Sequence, residues 1–376
     1  MTREQPSRRL AIQLASHGEE IKINRQRADG SWTTPFRLKA ALLRTRSRRI
    51  RTALNALSAY VRANQPLQNP RDVGWTNYCA ILRELQESGQ GLYDAIFDGS
   101  GPAADLRKAI DALKPDGELL VHIADDDVTL PFGFLFEGQI KAPPESPRRA
   151  HFDQFWLSQL RITVVVQNSG TDDERFLCLD PKEFRALYAL NRAEFELAVE
   201  ALDPRETRQL RSLLNIPLKE HYDWSSAREA WDSCVGNVFF VLAHSDGDIL
   251  SLSDSTLDSG SFSKRFNRPG DGPLTLLILN CCLSIMGAAG GSLLSAVARP
   301  GFSGIVGTEA EILNSVALRC GTQLMWNLCA NGRTLGEAID ALQQSDDPTV
   351  FPLNLFYTCY ARREFRLSSP LEGLAS

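Results

Sequence analysis

Two uninterrupted apolar runs dominate the second half of the chain. Residues 238–243 (Val-Phe-Phe-Val-Leu-Ala) end abruptly at His244, and residues 276–280 (Leu-Leu-Ile-Leu-Asn) end at Cys281 and Cys282. Each run has the length of a strand and no polar alternation, which is typical of central strands in a parallel sheet covered on both faces. If the two strands are neighbours, a histidine and a cysteine meet at the carboxyl edge of the sheet, where open α/β sheets bind ligands.

Strand and helix patterns alternate along the rest of the chain. Residues 9–15 and 20–23 predict a β-hairpin with its turn at His17 and Gly18. Further predicted strands cover residues 117–124, 160–166, 175–179, 218–222 and 304–307. Predicted helices cover much of residues 36–97 and residues 183–202, 206–214, 226–234, 292–297, 312–329 and 334–342.

This alternation predicts an α/β fold, namely a mostly parallel sheet with helices on both faces, preceded by a smaller α/β half. A polar connection at residues 168–174 is where a domain boundary can fall. We therefore predict an amino-terminal domain over residues 1–168 and a second domain over residues 169–376.

Composition excludes several classes of function. The chain has 376 residues, of which 43% are hydrophobic and 23% charged, and a net charge of -5 that gives no general footprint for nucleic acid. The amino terminus is polar and no apolar run approaches the ~20 residues that span a bilayer, so we expect a cytoplasmic protein without a membrane partner. Eight scattered cysteines without Cys-x-x-Cys or zinc-ligand spacing predict neither a metal site nor a cofactor.

The remaining histidines and cysteines have simpler interpretations than catalysis. His122 leads into three aspartates, which we interpret as a solvated turn, and no cysteine strand follows it. His151 and His221 lie in polar surroundings and are interpreted as surface or packing residues. Four cysteines are interpreted as small buried residues: Cys178, Cys320, Cys329 and Cys359.

A thiol beside an imidazole is the minimum apparatus for a cysteine nucleophile with a general base. The glycine-rich residues 287–292 follow the cysteine strand and lack both the P-loop ending and the G-x-G-x-x-G pattern. We interpret their backbone N–H groups as donors suited to an oxyanion hole, because such donors must lie just after the nucleophile.

The combined motifs resemble those of the CHAT family of caspase-like cysteine peptidases, which are relatives of separase. Three segments carry the main resemblance: residues 239–244 (Phe-Phe-Val-Leu-Ala-His), 249–254 (Ile-Leu-Ser-Leu-Ser-Asp) and 277–282 (Leu-Ile-Leu-Asn-Cys-Cys). Flanking segments that are similar to the family are residues 130–136, 304–309 and 332–338. The resemblance extends from about residue 10 to about residue 345, and it is carried by the order and spacing of the motifs.

The resemblance implies that the histidine and cysteine strands are adjacent, with His244 as the base and Cys282 as the nucleophile. It also implies that backbone N–H groups of Ser245 and Cys282 bind the oxyanion and that no cofactor takes part. Ser245 stands where the family usually has glycine, and Cys281 where it usually has a small residue such as alanine. The nucleophile therefore stays open between Cys281 and Cys282.

The resemblance further implies a protein substrate and an activity that awaits a partner or ligand, often in bacterial defence or programmed death. This trigger is expected either to come in trans or to act on the amino-terminal half. In relatives the amino-terminal half can be a degenerate copy of the protease fold. Asp246, Asp248 and Glu309 are predicted at the carboxyl edge, where they are either binding groups for a basic substrate residue or solvated loop acids.

Two competing functions remain open. An inactive binding or scaffold module of the CHAT fold is favoured by Ser245 in place of glycine. A switch that senses a nucleotide or anion would use residues 287–292 together with the arginine-rich segment of residues 44–51.

Overall fold

The computed structural model divides the chain into two compact units, residues 1–165 and 166–376. The residues that it describes are 8–64, 75–124, 129–139, 149–166, 178–216, 220–233, 236–245, 249–253, 255–266, 275–282, 293–294, 301–371 and 374. Each unit combines helices with a sheet of its own, so the predicted α/β class is confirmed. The predicted boundary between residues 168 and 169 lies outside the described residues.

The first unit contains a mixed sheet. Its described strands are β1 (Arg9–His17), β2 (Glu20–Arg25), β3 (Phe36–Lys39), β4 (Glu118–Ile123) and β5 (Arg161–Val166). They lie in the order β3-β2-β1-β4-β5, with β1 parallel to β4 and antiparallel to β2. The β1–β2 pair is the predicted hairpin, and Gly18 takes the positive φ of 63° that its tight turn requires.

Two long helices pack against each other in this unit. The described helices are α1 (Ala40–Ala63), α2 (Trp75–Phe97), α3 (Pro102–Asp111) and α4 (Trp156–Gln159). The α1 core positions recur at helical spacing, for example Leu43, Ile50 and Leu54, and these side chains are buried.

In the arginine-rich segment of α1, the side chains of Arg44, Arg48 and Arg49 are exposed. Arg51 instead is buried and donates to the Thr129 carbonyl at 3.3 Å.

The second unit contains the two apolar runs. Its described strands are β6 (Cys178–Leu179), β7 (Ala186–Leu190), β8 (Glu220–His221), β9 (Val238–Leu242), β10 (His244–Ser245), β11 (Ile249–Leu252), β12 (Ser255–Asp258), β13 (Thr275–Asn280), β14 (Phe302–Thr308), β15 (Tyr357–Ala361) and β16 (Arg366–Leu367). The main sheet has the order β15-β14-β13-β9-β7-β8. Its neighbours from β8 to β14 are parallel, whereas β15 is antiparallel to β14.

Helices cover both faces of β9. The described helices of this unit are α5 (Arg192–Glu200), α6 (Pro204–Leu214), α7 (Trp224–Ser233), α8 (Ser259–Arg265), α9 (Asn314–Cys329) and α10 (Leu335–Gln343). Successive strand residues point to opposite faces of a sheet. Phe239 contacts Trp231 of α7 with ring centroids 5.6 Å apart, while the next residue, Phe240, lies against Gly321 of α9.

The helix predicted over residues 183–202 is wrong in its first half. The segment Ala186–Leu190 is β7, a strand whose residues are all buried and which is parallel to β9. Helix α5 begins only at Arg192, after Asn191 accepts a hydrogen bond from the Glu194 N–H at 3.3 Å. Alanine and leucine favour helices, and a short buried strand has no alternation to reveal it, so the sheet decides the conformation.

Within the described part of the chain, no helix is both long enough and apolar enough to cross a bilayer.

Candidate functional site

The two apolar runs are neighbouring parallel strands. β9 and β13 pair in register from Val238–Leu276 to Leu242–Asn280, and every residue of both strands is buried. Their carboxyl ends therefore lie at the same edge of the sheet. His244 and Cys282 each lie two residues beyond the last paired positions. The register thus brings both candidate residues to equivalent positions at this edge.

This edge also lies beside the point where the strand order reverses. The chain runs from β7 outward to β8 and then returns to β9 on the other side of β7. Open α/β sheets bind ligands outside the carboxyl ends of the strands at such a switch point. The histidine strand β9 borders the switch point, and the cysteine strand β13 is the next strand along the sheet.

The two adjacent cysteines differ in exposure. Cys281 is fully buried, and its carbonyl accepts a hydrogen bond from the Thr308 hydroxyl at 2.8 Å. Cys282 is partly exposed, and its thiol donates to the Ile312 carbonyl at 3.3 Å. Of the two cysteines, Cys282 is the one with solvent-exposed surface at this edge.

His244 lies on a small antiparallel sheet that continues from β9. It is exposed and pairs with Ser251 of β11, whereas Ser245 is buried and pairs with Leu250. The Asn191 side chain, which caps α5, donates to the Ser251 carbonyl at 3.3 Å. The Trp224 indole donates to the Leu250 carbonyl at 3.3 Å. The strand opposite His244 is thus held by side chains at the starts of α5 and α7.

The backbone at Ser245 does not need the conformational freedom of glycine. Among the described non-glycine residues, a positive φ occurs at Asp116 and Ser253, and Ser245 is not one of them. Serine therefore fits the β10 strand without backbone strain. The departure from the family pattern at this position costs the fold nothing in this conformation.

Of the three acids predicted to bind substrate, the structure describes only Glu309. Asp246 and Asp248 lie outside the described residues, as do the glycine-rich residues 287–292. Glu309 follows β14 at the expected edge, but its side chain is fully buried and accepts a hydrogen bond from the Tyr360 hydroxyl at 3.1 Å. The expectation that Glu309 faces a substrate is therefore corrected, because packing against β15 removes its carboxylate from solvent.

Three other thiols in the described part of this unit are held in the protonated form by burial. Burial raises the pKa of Cys359 to about 11 and raises the pKa values of Cys320 and Cys329 further. These three match the predicted packing role. Cys178 does not, because it is exposed on the short strand β6. Exposure makes Cys178 a useful reference for an ordinary thiol.

Two of the other described histidines pack against aromatic side chains. His122 packs edge-on against Trp32 with ring centroids 6.0 Å apart, and His151 lies 3.5 Å from the Tyr78 hydroxyl. No group of three or more histidine, cysteine or acidic side chains in the described ranges is placed to hold a metal ion.

Sequence reasoning missed one pair of buried polar residues at the site. The Tyr357 hydroxyl donates to the Asn280 side-chain oxygen at 2.6 Å, directly before the two cysteines. A single asparagine at the end of an apolar strand is a visible signal in the sequence. Its partner lies 77 residues away, so no local pattern connects the two.

Comparison with known proteins assigns neither a family nor a function to the chain. No protein-family model matches the chain, and no curated protein sequence matches it. Inference about function therefore depends on the carboxyl edge itself, which carries an exposed imidazole and a partly exposed thiol on neighbouring strands.

Proposed function

We propose that the protein is a CHAT-type, caspase-like cysteine endopeptidase that hydrolyses peptide bonds in a protein substrate, with Cys282 as nucleophile and His244 as general base. One observation carries the proposal: the parallel strands β9 and β13 are adjacent, and these two residues follow their ends at equivalent positions. Adjacent histidine and cysteine strands are what the CHAT resemblance implies. The exposure of Cys282 and the burial of Cys281 support the choice of nucleophile.

The proposed reaction proceeds through an acyl-enzyme. Cys282 transfers its proton to His244, and its sulfur attacks the scissile carbonyl carbon to form a C–S bond. His244 then donates the proton to the leaving amine as the C–N bond breaks. A water molecule, deprotonated by His244, attacks the acyl carbon, releases the new carboxylate and restores the thiol.

Backbone N–H groups around Ser245 and Cys282 are the proposed oxyanion donors, each worth about 3 kcal/mol in the transition state. The resting thiol donates to the Ile312 carbonyl, and only the protonated sulfur can make this bond. Ionisation of Cys282 therefore has to release this contact before the sulfur attacks. A change in the turn that separates Sγ from the Ile312 carbonyl would accordingly activate the thiol.

The remaining features of the proposal follow from the CHAT resemblance. The activity is regulated by a partner acting in trans, serves a cytoplasmic defence or cell-death system, and involves no cofactor. Asp246 and Asp248 are the proposed contacts for a basic substrate residue, while burial leaves Glu309 out of this role.

The test is to incubate the full chain with candidate substrate proteins, including those encoded beside it. The native chain is compared with Cys282→Ala, His244→Ala and Cys281→Ala, and cleavage is followed by gel and mass spectrometry. We expect Cys282→Ala and His244→Ala to abolish cleavage and Cys281→Ala to retain it. Cleavage that survives in both of the first two variants would exclude the dyad, and loss in Cys281→Ala alone would move the nucleophile by one residue.

A binding module without turnover is the second candidate. It is favoured by the contact that keeps the Cys282 thiol on the Ile312 carbonyl. The absence of cleavage of any partner, together with alkylation of Cys282 by iodoacetamide no faster than that of Cys320, would favour this function over proteolysis.

A further inference from the structure

A set of buried hydrogen bonds surrounds the turn that carries the two cysteines. Asn280 is the last residue of β13 and is fully buried. Its side-chain oxygen accepts a hydrogen bond from the Tyr357 hydroxyl at 2.6 Å, and the same hydroxyl lies 3.3 Å from the Ala317 carbonyl of α9. The end of β13 is thereby tied to an edge strand and to a covering helix.

The next residue of the turn is held from β14, the strand between β13 and the edge strand β15. The Thr308 hydroxyl donates to the Cys281 carbonyl at 2.8 Å. Thr308 and Tyr357 are cross-strand partners at the β14–β15 pairing, so the two donors lie side by side. Burial raises the pKa of Tyr357 well above its ordinary value, so its hydroxyl keeps its proton at physiological pH.

Stability alone does not account for the asparagine. The Asn280 amide nitrogen is buried and has no hydrogen-bond acceptor among the described residues. A buried unsatisfied donor destabilises a fold, and an apolar residue would avoid that cost. Gly321 of α9 makes room for this amide, because a Cβ at that position would clash with it. The helix and the strand are therefore both shaped around Asn280.

We propose that Asn280, Tyr357 and Thr308 are positioning residues that orient the turn so that Cys282, and not Cys281, is the cysteine presented at the carboxyl edge of the sheet. These three residues are called the turn clamp. The inference rests on the proposed function in taking the presented thiol as the nucleophile. The clamp acts through the backbone of residues 280–282 and does not contact the substrate.

The principal test compares Tyr357→Phe with Tyr188→Phe in the full chain. Tyr188 is a matched control, because it is also buried in the main sheet and its hydroxyl donates to a single carbonyl, that of Leu213, at 3.2 Å. Two readouts are measured: kcat and KM for cleavage, and the rates at which iodoacetamide alkylates Cys281 and Cys282, resolved by peptide mapping.

We expect Tyr357→Phe to lower kcat about tenfold, equivalent to about 1.4 kcal/mol of transition-state stabilisation, with KM changed less than about twofold. The same variant should raise the ratio of Cys281 to Cys282 alkylation. Tyr188→Phe should change neither readout, even if it lowers the melting temperature as much. A loss of stability without a change in thiol selectivity would mark Tyr357 as merely structural and overturn the proposal.

Thr308→Val supplies an independent variant if Tyr357→Phe does not fold. It removes the donor to the Cys281 carbonyl at nearly constant side-chain shape, and it should shift the alkylation ratio in the same direction. An unchanged ratio in this variant would also contradict the turn clamp. The alkylation readout requires no turnover, so a chain that cleaves nothing yet shows the shift would refute the protease and retain the clamp.

Discussion

His122 in the first unit and His244 in the second each lie near the carboxyl end of a strand that has a parallel neighbour, and of these two only His244 is a candidate catalytic base. In the first unit His122 lies on β4, opposite Gln13 of the parallel strand β1, and packs against Trp32. Strand β1 then turns directly into the β2 hairpin at Gly18. In the second unit His244 follows β9, and the neighbouring parallel strand continues into Cys282.

The difference lies in what the neighbouring strand provides. A strand-end imidazole acts as a base only when a group with a transferable proton lies within hydrogen-bonding reach. The parallel strand β1 beside β4 supplies a glutamine and a tight turn, whereas the parallel strand β13 beside β9 leads into the partly exposed Cys282. The parallel neighbour at the same edge, more than the histidine, distinguishes a candidate site from a packing position.

The strongest test of this comparison is the effect of each histidine on the Cys282 thiol. At pH 6.5 we expect His244→Ala to slow alkylation of Cys282 by up to about 100-fold, since a thiol with a free pKa near 8.5 is only about 1% thiolate at that pH. His122→Ala should leave the rate unchanged. The exposed thiol of Cys178 serves as the internal reference in the same digest. Equal effects of the two substitutions would remove the distinction between the two sheets.

A second test concerns the aromatic core beneath the candidate site. Phe239 is fully buried and contacts Trp231 and Phe266, with the Phe266 ring centroid 5.1 Å away. We expect Phe239→Ala to lower the free energy of unfolding by about 3–5 kcal/mol, through lost burial and a residual cavity. Hydrogen exchange should show reduced protection in β9 and β13. Phe239→Leu is the control that keeps much of the volume, and a loss as large as that of the alanine variant would argue against a cavity effect.

A third test compares a close helix approach in each unit. A Cβ at Gly89 of α2 would clash with the Phe134 carbonyl oxygen, which is backbone, while a Cβ at Gly321 of α9 would clash with side-chain atoms of Asn280. We expect each glycine-to-alanine substitution to lower the free energy of unfolding by about 1–3 kcal/mol, measured by urea denaturation. Gly89→Ala should be the more destabilising of the two, because a backbone carbonyl can move aside less easily than a side chain. Only Gly321→Ala should also change the alkylation ratio of the two cysteines. A change in that ratio in Gly89→Ala would contradict the comparison.

The smallest expected effect is a pH-dependent one in the first unit. Burial acts to raise the pKa of Glu137, but hydrogen bonds from Lys114 and Tyr93, together with the charges of Lys114 and Arg107, hold it below its usual value. A lowered folded-state pKa stabilises the fold above the unfolded-state pKa, and this stabilisation is lost as the pH falls through the folded-state value. We expect Glu137→Gln to cost about 1–2 kcal/mol at pH 7, measured by urea denaturation.

The difference between Glu137→Gln and the native chain should shrink as the pH falls below the unfolded-state pKa and through the lowered folded-state pKa, where the native carboxylate itself becomes protonated. Glu84→Gln, on an exposed position of α2, is the matched control and should have little effect at either pH. A penalty at Glu137 that stays constant down to pH 3 would show that packing, and not charge, is what the substitution removes.

The sequence by itself determined the local elements around the site. Continuous apolar runs specified β9 and β13 and where each ends, because full burial requires apolar residues at every position. The helical pattern over residues 334–342 specified α10, in which Thr334 and Glu337 form a reciprocal capping box. The polar breaks at His244 and Cys281–Cys282 located the candidate chemistry without reference to any other part of the chain.

Only the tertiary structure decided which elements meet. In the fold, β9 and β13 are neighbours, and residues predicted as helix form the strand β7. Cys281 and Glu309 are buried, and Asn280 accepts a hydrogen bond from Tyr357. A local pattern records periodicity and burial but not the identity of a partner. Contacts between residues far apart in sequence depend on how the whole chain packs, which is why the exposure of one thiol and the burial of its neighbour were settled by the fold.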